Sequence, residues 1–179
     1  LHRIYAFQQQ VRKQYLKYTN RKSAWSIGFG LAAPSDSGQV SVAVAGADSS
    51  SWFIEHNAVR DTFMLWITDP DVYGLDIVEA MITYPFTDST GTVIAKTDTV
   101  SFRYVKPPAP RGGPGRVPGL SLTTNVAGKI RPGTVPFFRS ATPLAEPDTS
   151  LISLTRTVDS VLVNVPYEFV RDSASSRRF

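Results

Sequence analysis

Carboxylates are the only side chains in this sequence whose grouping could do chemistry. Asp69, Asp71, Asp76 and Glu79 crowd around Gly74. Oxygen ligands at that density suit a hard cation. The run Asp69-Pro70-Asp71-Val72-Tyr73-Gly74 opens as a calcium loop does, with acids at the first and third places and glycine at the sixth. The match then stops, because Asp76 stands where an apolar residue belongs and Ala80 where the bidentate glutamate belongs. Two readings follow. One is a looser site for Ca2+ at a subunit interface, built from Asp69, Asp71 and Asp76 and completed by a neighbouring chain. The plainer one is a polar turn between two buried strands. The same acids could supply the carboxylate pair of a glycosidase-like hydrolase, but the spacing fixes no separation between them. No other cofactor is expected.

The remaining composition closes most catalytic routes. There is no cysteine, so disulfides, thiol nucleophiles and thiolate metal sites are all excluded. His2 and His56 are the only histidines, too few for a histidine-rich zinc site. A Ser-His-Asp triad would have to use His56, in Glu55-His56-Asn57, and no Gly-x-Ser-x-Gly elbow supplies its nucleophile. Gly112-Gly113-Pro114-Gly115 is not a phosphate cradle: it lacks the lysine and the following helix, and Pro114 removes a donor N–H. The expectation is a protein that is not an enzyme.

Charge carries more information, because it is sorted along the chain. From Leu1 to Pro34 the charged residues are Arg3, Arg12, Lys13, Lys17, Arg21 and Lys22, all basic. From Ser35 to Asp98 ten acids face only Arg60 and Lys96, and from Thr99 to Phe138 six basic residues again stand without an acid. Sorting of this kind points to a fixed surface made for a polyanion or a protein partner. Ile4, Phe7, Val11, Tyr15 and Tyr18 recur at three- and four-residue steps among the first basic residues, which predicts a basic amphipathic helix. Residues 1–22 are therefore read as an N-terminal arm. It docks on its own domain, or on a neighbouring subunit or a polyanion through its six basic side chains. Aromatic and basic residues also interleave at Arg103-Tyr104-Val105-Lys106 and Phe137-Phe138-Arg139, a mixture that can stack bases but is more often core.

After the arm the texture is that of strands. Trp25–Phe29 and Val40–Val44 alternate around the turn cluster Pro34–Gly38 and could form a hairpin. Trp52–Ile54 and Thr62–Ile67 follow, the latter apolar enough to be buried on both faces until Asp69-Pro70-Asp71 breaks it. The clearest pair is Leu75–Phe86 with Thr92–Tyr104, joined by the Gly-bearing loop Thr87–Gly91. Lys106–Gly119 is a Pro/Gly loop that can hold neither ladder nor helix. Short strands are predicted at Leu120–Thr124, Val135–Phe138 and Leu151–Leu154. A closing strand is predicted over Val158–Val170, with Pro166 marking an edge or bulge. The fold class is all-β: an antiparallel β-sandwich or jelly roll over 23–172, with a helical arm before it and a frayed tail over 173–179. No stretch approaches the roughly 18 apolar residues of a membrane span.

The unit from Val72 through Tyr84-Pro85 to Ala95 resembles the central strand pair of jelly-roll coat proteins from small icosahedral RNA viruses. In that pair a strand of alternating apolar residues ends in Tyr-x-Pro or similar, and a Ser/Thr/Gly loop leads to a second strand rich in small residues. Val161–Phe169 is similar to the last strand of such a domain. The resemblance implies a self-assembling capsid subunit with no catalytic role. Its partners would be copies of itself and, through the basic arm, genomic RNA; its place would be the virion, and the host cytoplasm during assembly. The arm is far less arginine-dense than in many such coats. The alternatives are a nucleic-acid-binding β-domain outside any shell, a phage connector or tail component, and the carboxylate hydrolase.

Overall fold

The computed structural model describes residues 12–106, 120–126, 130–131, 133–144, 147–172 and 175–179. Arg3, the first half of the expected helix and nearly all of the Pro/Gly loop lie outside them. The chain divides into two compact units, Leu1–Pro108 and Ala109–Phe179, so the division falls within the Pro/Gly stretch. No described helix is long and apolar enough to cross a membrane.

The first unit is antiparallel β. Its strands are β1 (Leu16–Ser23), β2 (Ser26–Leu31), β3 (Ser41–Val44), β4 (Trp52–His56), β5 (Thr62–Ile67), β6 (Ile77–Thr87) and β7 (Val93–Arg103), with one helical turn, α1 (Pro70–Tyr73), between β5 and β6. They form a four-stranded sheet in the order β1-β2-β5-β4 and a three-stranded sheet in the order β3-β6-β7. Apolar residues at every second position make one face of each sheet buried. Ile27, Phe29, Leu31, Phe63, Leu65 and Ile67 of the first sheet share a single core with Val42, Val44, Val78, Ala80, Ile82, Tyr84 and Phe102 of the second. Phe29 and Phe63, cross-strand neighbours, stack with centroids 5.1 Å apart, which contributes about 1 kcal/mol beyond their area burial. Seven strands paired in this order match the four-plus-three arrangement of an immunoglobulin constant-type sandwich. A jelly roll would use eight strands in two Greek keys. The match is one of topology and carries no function.

The expected helix does not extend into the described residues. From Leu16 the chain is β1, an edge strand on β2, so Lys17, Arg21 and Lys22 belong to a sheet and not to an arm. Register shifts lie between Leu16 and Tyr18 and between Asn20 and Ser23. Each extra residue shifts the alternation of side chains between the two sheet faces, so the three-residue step from Tyr15 to Tyr18 that suits a helix ends on a bulged strand. The partner strand is built to receive it. A Cβ on Gly30 would come within 2.2 Å of the Tyr18 ring, and one on Gly28 within 2.9 Å of the Asn20 carboxamide.

β2 and β3 are not a hairpin: β2 pairs with β1 and β5, whereas β3 pairs with β6 in the other sheet. The turn residues between them make a crossover from one sheet to the other. The β6–β7 hairpin is as expected, paired residue for residue from Ile77–Arg103 to Thr87–Val93. Asp88 organises its loop by accepting from the Thr90 and Thr92 amides at 2.8 and 2.9 Å, and Gly91 takes the positive φ of 86°.

The second unit holds two short antiparallel pairs, β8 (Leu122–Thr124) with β9 (Phe138–Ser140), and β10 (Thr155–Val158) with β11 (Val161–Asn164). The single closing strand expected over Val158–Val170 is thus interrupted. Asp159 and Ser160 both have positive φ, the geometry of a tight two-residue hairpin turn. Residues 175–179 are not frayed: Phe138 and Phe179 exchange amide–carbonyl hydrogen bonds of 2.9 and 3.0 Å, and the Ser140 amide donates to the Arg177 carbonyl at 2.8 Å.

Candidate interaction surfaces

The basic residues at the start of the chain separate into two kinds. Arg12, Lys13, Lys17 and Lys22 are exposed. Arg21 is 8% exposed, and its guanidinium donates to the carbonyls of Ala24, Tyr73, Leu75, Asp76 and Phe102 at 2.8–3.3 Å. All five N–H donors of an arginine are then engaged, so Arg21 has nothing left to offer a phosphate. It is a clamp that ties β1 to the β5–β6 corner and the end of β7. The Tyr104 ring centroid lies 5.7 Å from the guanidinium as a cation–π partner, and burial lowers the Arg21 pKa while Asp76 opposes that shift. Gln14 pins the preceding segment. Its amide donates to the Ala33 carbonyl at 2.7 Å, its side-chain oxygen accepts from the Ala33 amide at 2.9 Å, and its backbone N–H donates to the Thr87 hydroxyl at 2.8 Å. Nothing in the spacing of basic and aromatic residues marks either pin.

The three carboxylates of the candidate cation site do not converge. Asp69 caps α1, accepting from the Asp71 amide at 2.9 Å and from the Ser51 hydroxyl at 3.2 Å. Asp71 sits in the first turn of α1. Asp76 lies beyond the turn, where its main-chain carbonyl serves Arg21 and the Tyr104 amide. Among the described residues no group of three or more His, Asp or Glu could hold a metal ion.

A polar group that the sequence reading passed over lies on the inner side of β7. Lys96 and Asp98, two residues apart and hence on one face, form an ion pair of 3.0 Å. The Tyr84 hydroxyl, at the rim of the core, donates to Asp98, and the Lys96 ammonium lies 4.8 Å from the Phe86 ring centroid. The hydrogen bond from Tyr84, and then Lys96, hold the Asp98 carboxyl below the usual range, while burial and the Asp98 charge raise the Tyr84 hydroxyl. A carboxyl depressed in the folded state contributes stability that is complete above its unfolded pKa of about 3.9 and fades as pH falls through the lower folded value. Asp98→Asn should therefore lower stability on the neutral plateau and flatten the acid limb below about pH 4. Parallel limbs for the two proteins, in urea midpoints measured against pH, would refute this role for Asp98.

The second unit presents apolar surface. Among its described residues no hydrophobic side chain is buried, and Ser140 is the one buried residue. Val135, Leu151 and Leu162 are 81%, 84% and 70% exposed, and both faces of the β10–β11 hairpin are open, with Val158, Val161 and Val163 on one and Leu162 on the other. Beside these lies a groove of about 330 Å³ walled by Ile130, Phe138, Ile152, Leu154, Phe169 and Val170. The unit is also basic, with nine Lys or Arg against five Asp or Glu over 109–179. Compared with family models, curated proteins and solved structures, the chain shows no significant match.

Proposed function

We propose that the protein is a non-catalytic structural subunit that assembles with copies of itself, its second unit burying apolar surface against a neighbouring chain. The observation that carries this is the contrast between the two units. One has a closed core, while the other exposes Val135, Leu151, Val161 and Leu162 with no buried hydrophobic residue among those described. Exposed apolar side chains on a unit with no described core of its own favour a contact between chains over a solvated face. Charge suits the same partner: the basic second unit complements the acidic stretch Ser35–Asp98 of another copy, and complementarity of this sort sets register and partner choice. A coat-protein role is the form of assembly that the resemblance of the β6–β7 segment adds to this reading. RNA contact through the exposed Arg12, Lys13, Lys17 and Lys22 is the second reading.

Light scattering after size exclusion, with negative-stain microscopy, tests it across about 0.05 to 1 M salt. Oligomers without nucleic acid, smaller or fewer as salt rises, are expected. A monomer under all conditions would overturn the proposal. If that monomer bound RNA with an affinity falling steeply with salt, the second reading would replace it.

A further inference from the structure

The edges of the two sheets are not alike. β1 is bulged twice, and β3 and β4 are four and five residues long. Bulges and short length are the usual ways of blunting an edge against foreign strands. β7 has neither protection: it runs eleven residues with no proline and no bulge, and no described strand flanks its outer side. The Tyr104 amide donates to the Asp76 carbonyl at 2.8 Å and the Asp88 amide to the Thr92 carbonyl at 2.9 Å. Both bonds fall on the β6–β7 register, so even-numbered residues of β7 turn their main-chain groups toward β6. Val93, Ala95, Thr97, Thr99, Ser101 and Arg103 then turn theirs outward. The outer sheet face beside that edge carries the small side chains of Ala95, Thr97, Thr99 and Ser101.

Resting on the self-assembly proposed above, we infer that β7 is a dimerisation edge. It pairs antiparallel with β7 of a second copy about a two-fold axis at Thr97, giving a six-stranded sheet β3-β6-β7-β7-β6-β3. Charge selects both the partner and the register. Residues opposite one another must share edge orientation, so the axis can pass only through a residue. With the axis at Asp98 or at Lys96, two like charges stand directly opposite, which is destabilising. With the axis at Thr99, Asp98 meets Val100 and Lys96 meets Phe102. At Ala95, Lys96 meets Ile94 and Asp98 meets Thr92. Only the axis at Thr97 sets Lys96 of each copy opposite Asp98 of the other. Those are non-hydrogen-bonded pairs, the ones in which side chains come closest. The same register puts Ile94 opposite Val100 and makes Thr97–Thr97 a hydrogen-bonded pair. Inward charges that repel an arbitrary strand thus accept this one.

The protein has no cysteine, so single replacements report the register directly. Thr97 of the two copies would lie about 5.5 Å apart between Cα atoms, inside the roughly 4.4–6.8 Å that a disulfide spans. Thr97→Cys should give a covalent dimer on mild oxidation. Thr99→Cys and Ser101→Cys, whose copies would be about 13 and 26 Å apart at a strand rise of about 3.3 Å, should not. Asp98→Lys should weaken dimerisation by about tenfold, and the swapped pair Lys96→Asp with Asp98→Lys should restore it. An oligomer whose Thr97→Cys form fails to cross-link, or cross-links no better than Ser101→Cys, overturns this edge while leaving self-assembly standing. A chain that stays monomeric overturns both.

Discussion

Replacing Arg21 with methionine lowers the stability of the first unit by about 3–5 kcal/mol. The methionine keeps much of the aliphatic stem and removes the fork, so the carbonyls of Ala24, Tyr73, Leu75, Asp76 and Phe102 lose their common donor in a site that is 8% exposed. A buried acceptor left unsatisfied costs about 1–3 kcal/mol, and hydrogen bonds from a charged donor are the stronger kind. The Asp76 carbonyl keeps the Tyr104 amide as a donor, and relaxation and water entry keep the sum further below the arithmetic of five acceptors. Lysine is no rescue: its three donors radiate from one point and cannot reach carbonyls that the planar guanidinium meets from several sides. The change should appear as a lower denaturant midpoint at an unchanged slope, and as a melting temperature lower by about 4–8 °C per kcal/mol for a unit of this size. A loss under about 1 kcal/mol would mean that Arg21 does not tie β1 to the opposite sheet.

Arg21 also shows where the sequence stops being readable. It stands among basic residues at positions that suit an arm, and its type alone fits a phosphate contact as well as a carbonyl clamp. What decides is the placement of carbonyls from α1, from the two residues before β6 and from β7, which lie more than 50 positions away. Local pattern was sufficient where it ran uninterrupted: β3 and the β6–β7 hairpin lie where alternation and turn residues put them, and β5 where the continuous apolar run Thr62–Ile67 does. It misled where the period was broken. The bulges of β1 remove the alternation that would mark it as a strand, and the turn after β2 reads the same whether the chain folds back or crosses to the other sheet. Asp69 is spaced as a ligand but is used as a helix cap, because the cap needs an acceptor just before Pro70.

Separated at Pro108, the two units should behave differently. Residues 1–108 alone should stay monodisperse at low concentration and unfold cooperatively, whereas residues 109–179 alone should show no cooperative transition and should bind a dye for exposed apolar surface. The reason lies in where burial occurs. Every buried hydrophobic side chain among the described residues falls between Ile27 and Phe102. Each fully buried Val, Leu, Ile or Phe contributes about 1.5–3 kcal/mol, and the first unit holds all of that burial among the described residues. The second orders two hairpin-sized pairs and the Phe138–Phe179 bridge with none of that burial, and a two-stranded hairpin is marginal by itself. In the full chain, amide exchange in β10 and β11 should therefore slow only at concentrations where chains associate, when a neighbour covers Val158, Val161, Leu162 and Val163. Slow exchange in the monomer, or a cooperative fold for 109–179 alone, would show that the unit is complete without a partner and would remove the main support for assembly.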